Sequence, residues 1–306
     1  MTVQLTTVNT YGNVGEAERE TEVFLGVDLT MLGAVSSDSY TGINAELPVE
    51  YASFPMLASC AMAACSGGLD LITLSKDFRV RSDKHGAAMD AARTMARLTQ
   101  VGAVGFSAEV PTTPESIEEA VKLLASQREG WGSVEICVND DGTFDAESLA
   151  VPIAVAHDLG VSITVRVPVR NVRGELVAQL ADVADSVCLL TENPHDAREA
   201  RFALRSAARE RGRELKVLVE LGVVISGNKQ AAVERARLIR DMNGSPVFPN
   251  KAHTIGTVYD VADTVEEWIG MGAADGVIFL PASLPTDLAS IIKGVIPLLR
   301  ARSTAA

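Results

Sequence analysis

The alternation of two hydrophobic periods along this chain predicts an α/β fold, a (β/α)8 barrel of the TIM-barrel type. Three observations carry that expectation. Short apolar runs bounded by Gly, Asp, Asn, Ser or Pro recur eight times. Between them lie longer Ala- and Leu-rich stretches, each with one apolar stripe at helical spacing. The 306 residues are 47% hydrophobic but only 5% aromatic, so the core is filled by Ala, Val, Leu and Ile, as in parallel strands buried on both faces.

The first run, residues 23–29, is expected to be a strand and 53–66 the helix that follows it. Strand 69–74 leads to helix 84–99, strand 101–106 to helix 114–127, and strand 133–138 to helix 145–159. Strand 161–167 precedes helix 172–182, and strand 185–190 precedes helix 194–212. Pro114 after Thr113 and Pro194 after Asn193 mark first helical positions, where a missing N–H costs nothing. Strand 215–224 is followed by helix 228–242, a loop over 243–257, helix 258–271, strand 275–280 and a last helix over 284–302. Val261, Val265, Trp268 and Ile269 form one stripe, and Leu288, Ile291, Ile292, Val295 and Leu299 another. Eight such units close most naturally into a barrel, although an open doubly wound sheet has a similar string. No linker or shift in composition divides residues 23–306, which are expected to form one domain after a polar segment over 1–22.

Composition excludes several function classes. A formal charge of −13 with no basic stripe repels phosphate backbones, so nucleic acid is not expected as a partner. Cys60, Cys65, Cys137 and Cys188 have no CxxC spacing and read as reduced, buried residues. No HxH or HExxH spacing points to a metal, and no GxGxxG, GxxxxGK[ST] or GxSxG points to a Rossmann fold, a P-loop or a hydrolase elbow. The polar N-terminus and the lack of a membrane-length apolar run lead us to expect a cytoplasmic protein away from membranes.

The C-terminal segment is the most distinctive. It reads IGTVYDVADTVEEWIGMGAADGVIFLPASLPTDLASIIKGVIPLLRAR from Ile255. Gly256-Thr257 opens a helix of the form V-A-D-x-x-x-x-W, and Gly272 to Gly276 leads into the last strand. Pro281, Leu284-Pro285 and a V-x-P-x-L from Val295 to Leu299 follow. This order of features resembles the closing segment of the bacterial-luciferase-like flavin-dependent monooxygenases, in the branch acting on nitrilotriacetate and sulfonates. Ala184 to Met242, and Leu69-Asp70 leading to Leu74-Ser75, are similar to that family's middle units.

The resemblance implies a two-component oxidoreductase that receives reduced FMN from a flavin reductase and uses dioxygen on a small organic substrate. In a sister branch the cofactor is 8-hydroxy-5-deazaflavin. It further implies a homodimer, or a heterodimer with a paralogue. By position, Asp28, Ser75 and Ser107 at strand ends are the expected ring contacts. Arg170, Asn171 and Arg173, in PVRNVRGE, stand where the family's phosphate loop lies. Glu135, mid-strand in VEICV, needs a partner such as Arg166 in ITVRV if it points inward, and such a pair serves structure or catalysis equally. His253 lies in the long loop, an expected lid over the site, and joins Glu135 as the catalytic candidate. The chain also departs from the family. Gly132 stands where a flavin-binding Asn is found, and the insertion after the fourth strand is missing. These departures suit an alternative, a degenerate barrel of the same type that acts as a noncatalytic subunit or as a flavin- or ligand-binding protein and need hold no cofactor.

Overall fold

In the computed structural model, residues 23–35, 52–81, 87–99, 102, 104–125 and 131–303 are described. Eight parallel strands form a closed ring: β1 (Phe24–Asp28), β2 (Leu71–Leu74), β3 (Gly105–Glu109), β4 (Trp131–Cys137), β5 (Ser162–Pro168), β6 (Ser186–Leu190), β7 (Lys216–Ile225) and β8 (Gly276–Pro281). They pair in chain order. Lys216–Val219 of β7 joins β6, and Leu218–Val223 joins β8, which pairs with β1 to close the barrel. Seven helices lie between strands: α1 (Phe54–Gly67), α2 (Ala91–Leu98), α3 (Pro114–Leu124), α4 (Ala146–Asp158), α5 (Glu175–Val183), α6 (Pro194–Glu210) and α7 (Lys229–Asn243). An eighth, α8 (Val258–Gly270), precedes β8, and the chain closes with α9 (Thr286–Ser290), a π turn at Ile291–Val295 and α10 (Ile296–Ser303).

The helix ends follow from their capping residues. Asp90, Thr113, Asp145, Asn193 and Asn228 each accept a backbone N–H at the start of α2, α3, α4, α6 and α7. Thr257 and Asp260 form a reciprocal capping box on α8. The expected stripe of α8 is buried at Val261, Val265 and Trp268, which pack on the barrel wall.

Three regions differ from the sequence expectation. Helix α2 begins at Ala91, because Ala88–Met89 pairs antiparallel with a strand at Phe78–Arg81 and Asp90 then caps the helix. Residues 84–86 of the expected helix lie outside the described residues, as do 1–22, 101, 103 and 126–127. Strand β3 runs Gly105–Glu109 rather than ending at Phe106, since Val110 N–H donates to the carbonyl of Glu135 and continues the register with β4. The stretch 243–257 is only partly loop. Its last residues form a strand, His253–Gly256, parallel to Gly222–Ile225, where β7 extends beyond its pairing with β6.

Strand alternation divides the barrel interior into layers. At the N-terminal end Phe24, Leu71, Trp131, Cys188, Leu218 and Ile278 form an apolar plug. Trp131 packs tilted against Phe24 with ring centroids 6.3 Å apart, and Lys216 Nζ sits 3.9 Å over the Phe24 ring. The plug requires glycine at two places. A Cβ on Gly105 would lie 2.3 Å from the Trp131 ring, and one on Gly276 would lie 2.3 Å from the Phe24 carbonyl oxygen. A ring can turn aside, whereas a barrel strand cannot. Gly276→Ala is therefore expected to cost about 2–3 kcal/mol, at the upper end of overpacking effects, measured as a lower urea midpoint at unchanged slope. An unchanged midpoint would show that β8 has room to shift.

Candidate active site

Above the plug the interior turns polar. Ser133 and Thr164 share a hydrogen bond at 2.9 Å, and the buried Ser107 Oγ has no partner among the described residues. The next layer, toward the C-terminal mouth, consists of charged groups from five strands. Asp28 ends β1, Glu109 ends β3, Glu135 and Arg166 lie in β4 and β5, and Glu220 lies in β7. All four carboxylates are between 3% and 6% exposed.

Arg166 is the hub. Its Nη1 donates to Glu135 Oε1 at 3.1 Å and to Glu109 Oε2 at 3.4 Å, while Nη2 contacts Glu220 Oε1. Lys251 Nζ reaches the other Glu220 oxygen at 2.9 Å, and Lys76 Nζ approaches Glu109 at 3.6 Å from the rim. Cys137 Sγ donates to Glu109 at 3.1 Å. Asp28 stands at the side of the cluster, where it accepts the Thr30 N–H at 2.8 Å and the Thr73 hydroxyl at 3.2 Å.

Charge counting decides the protonation state. Four buried carboxylates face Arg166 and Lys251, with the half-exposed Lys76 as a third cation. Uncompensated buried charge is costly, so the cluster holds at least one proton near neutrality. Burial pushes the Glu135 carboxyl up to about 7; Arg166 opposes that rise, and Glu109 and Asp28 reinforce it. Burial likewise raises Asp28 against the pull of its hydrogen bonds from Thr30. Burial and the neighbouring Arg166 lower the Lys251 ammonium to about 8. Burial works against the charge of Arg166, but Glu135 and Glu109 outweigh it and keep the guanidinium charged.

A carboxyl raised in the folded state favours folding while it is protonated. The contribution of Glu135 is complete below the ordinary value of 4.5 and is lost as pH rises through about 7. The melting temperature should therefore fall between pH 5 and pH 8 more steeply in the wild type than in Glu135→Gln. Parallel profiles would place the proton elsewhere.

The structure brings Asp28, Glu135 and Arg166 together with Glu109. Ser107 lies one layer below them, and Ser75 sits at the rim, its N–H donating to Thr30 Oγ1 at 2.9 Å. Arg170, Asn171 and Arg173 form a separate group after β5. Arg170 and Arg173 are exposed, and Asn171 donates to the carbonyls of Asn139 and Asp140. They lead to Gly174, the N-cap of α5, which provides no side-chain acceptor and has no atom within 4 Å of a would-be Cβ. His253 is exposed on its short strand, with Nδ1 2.9 Å from the Lys251 carbonyl and its ring beside Phe248.

Two members of the charged layer escaped sequence reasoning. Glu220, mid-strand in LVELGVV, carried the same signal as Glu135. Lys251 carried none, since only the return of the chain as a strand beside β7 brings it to the mouth.

Beside the mouth a cavity of about 660 Å³ is lined by Ser226, Arg235, Thr257, Tyr259, Thr286 and Ser290. Next to it the fully buried Asp287 accepts from the Ile225 and Ser283 N–H groups, each at 3.0 Å, and from Arg235 at 2.7 Å. Among the described residues no group of His, Cys, Asp and Glu could hold a metal, and no helix is long and apolar enough to cross a membrane.

No protein-family model matches the chain, and no curated protein matches it in sequence. Solved structures do match in fold. EDTA monooxygenase from Chelativorans sp. BNC1 superposes with a TM-score of 0.71 at 13% identity, covering 92% of this chain and 94% of that one. DmoA from Hyphomicrobium sulfonivorans gives 0.70 at 14% identity, over 92% and 88%. The coenzyme F420-dependent tetrahydromethanopterin reductase from Methanopyrus kandleri gives 0.58 at 11%, over 91% and 99%. The fold is thus the (β/α)8 barrel that these structures share.

Proposed function

We propose that the protein is a luciferase-like oxidoreductase that works with a reduced flavin or deazaflavin on a small organic substrate, most simply as the oxygenating half of a two-component monooxygenase. The observation that carries this reading is the uncapped start of α5 at the C-terminal face. Gly174 leaves the first N–H groups of that helix without a side-chain acceptor, a Cβ at Gly174 would meet open space, and the exposed Arg170 and Arg173 precede it in the chain. Such a helix start, preceded by two exposed arginines, suits a phosphate. It lies directly after β5, on the face of the barrel where strand ends and their loops bind ligands.

In this reading Arg170, Arg173 and the α5 N–H groups hold the cofactor phosphate, and Asn171 braces the turn against the 139–140 loop. The bound cofactor supplies the reducing equivalents, and for a flavin the activation of dioxygen. The protein supplies a floor of charged groups in which Glu135 holds a proton near neutral pH and Arg166 fixes the surrounding carboxylates. His253 and the segment before it form part of the rim. A separate reductase delivers the reduced flavin, residues 23–306 act as one domain, and the protein works in the cytoplasm as a homodimer or with a paralogue.

Anaerobic titration with reduced FMN and, separately, with reduced 8-hydroxy-5-deazaflavin tests this function. One of the two should bind with a saturable change in absorbance or fluorescence. Binding of neither would overturn the reading and leave the barrel as a cofactor-free scaffold.

A further inference from the structure

Lys251 belongs to the charged layer at the rim but has no chemical role in the cofactor reading, and its surroundings are unusual for a lysine. The chain around it is held firmly. Ala252 N–H donates to the Thr191 carbonyl at 3.0 Å, and the Ala252 carbonyl accepts from Gly222 N–H at 2.8 Å, so the backbone is clamped between the ends of β6 and β7. From there Nζ reaches inward to Glu220 at 2.9 Å, while 27% of the side chain remains exposed at the mouth. Arg166 holds the same carboxylate from the other side, and Asp28 and Glu109 complete the charged surroundings.

Of the two cations sharing Glu220, the guanidinium cannot give up its proton, so the ammonium is the one that yields. Burial and Arg166 act in that direction and bring Lys251 to about 8 from an ordinary 10.5. The result is a positioned amine at the C-terminal mouth of a barrel, open to solvent and backed by a carboxylate able to move protons.

We propose that Lys251 captures small aldehydes and ketones as imines. The neutral amine adds to the carbonyl carbon and forms the C–N bond, while the carbonyl oxygen takes up a proton and becomes a hydroxyl. Loss of that hydroxyl as water, with a proton relayed by Glu220, leaves the imine. One carbonyl compound and one amine thus give one imine and one water, with no oxidation or reduction. Among the described residues the other lysines lack this combination, and Lys293 is exposed on the π turn. Lys216 caps the Phe24 ring at the opposite end of the barrel, Lys76 is 44% exposed at the rim, and Lys122 and Lys229 stand exposed on helices.

The test uses the wild-type protein without any flavin, so its outcome is independent of the cofactor titration. Protein is incubated with propanal and cyanoborohydride, which reduces an imine to a stable secondary amine, and peptide mass mapping reads the labelled sites over time. At pH 7 Lys251 should be labelled about tenfold faster than Lys122 or Lys229, because each unit of lowered pKa gives about tenfold more neutral amine and burial takes back part of that gain. Its labelling rate should level off above pH 8 while theirs keeps rising. Lys251→Arg, which retains the positive charge, should lose this fast site alone. Labelling of Lys251 at the rate of exposed lysines, or no labelling of it, would overturn the proposal.

Discussion

Replacing Arg166 by Met should destabilise the protein by about 3–5 kcal/mol, the typical cost of removing one partner from a buried ion pair. Among the described residues the guanidinium alone joins Glu109, Glu135 and Glu220, which come from three different strands. Without it, Lys251 still balances Glu220 and Lys76 approaches Glu109, but Glu135 loses its cation. The carboxyls would respond by taking up protons, so the loss should be largest at alkaline pH and smaller near pH 5. Urea unfolding at pH 5 and pH 8 measures both effects. A variant as stable as the wild type at pH 8 would mean that the cluster is held together by its hydrogen bonds alone.

Asp287→Ala is expected to have an effect of similar size for a different reason. This carboxylate is fully buried and accepts two backbone N–H groups, from Ile225 at the end of β7 and from Ser283, besides the Arg235 guanidinium. Its removal leaves the partly exposed Arg235, still bonded to the Ile225 carbonyl, without its anion, and the buried Ile225 and half-buried Ser283 N–H groups without an acceptor, about 2–4 kcal/mol. Asp287→Asn keeps acceptor geometry for part of this set and should recover part of the loss. Equal losses for Ala and Asn would assign the whole effect to charge. Thermal melts of the two variants beside wild type distinguish these outcomes.

These two sites also show what the sequence could and could not reveal. Strands were legible because a strand buried on both faces is a short apolar run between turn residues, and all eight barrel strands carry that mark. The pairing of Glu135 with Arg166 was legible for a related reason, as charges in the middle of adjacent strands must meet partners inside. Glu109 was harder. A charged residue after GFSA looks like the start of a loop, and only the register with β4 shows that it still faces the interior. Lys251 and Asp287 were not legible, because their partners are distant in sequence and are brought close by strand His253–Gly256 and by the turn into α9. The start of helix α2 was misplaced for want of the same information, since the pairing of Ala88–Met89 with Phe78–Arg81 outweighs the helical pattern of the sequence.

The central claim is that the mouth of the barrel holds a phosphate-bearing reduced cofactor with its phosphate over α5. Anaerobic binding of reduced FMN and reduced riboflavin, compared between wild type and the Arg170→Ala, Arg173→Ala double variant, tests it most directly. The account predicts that the double variant binds FMN about tenfold more weakly, roughly 1.4 kcal/mol for two exposed charge-assisted contacts, and binds riboflavin as the wild type does. Equal weakening of both ligands, or unchanged binding of FMN, would contradict it.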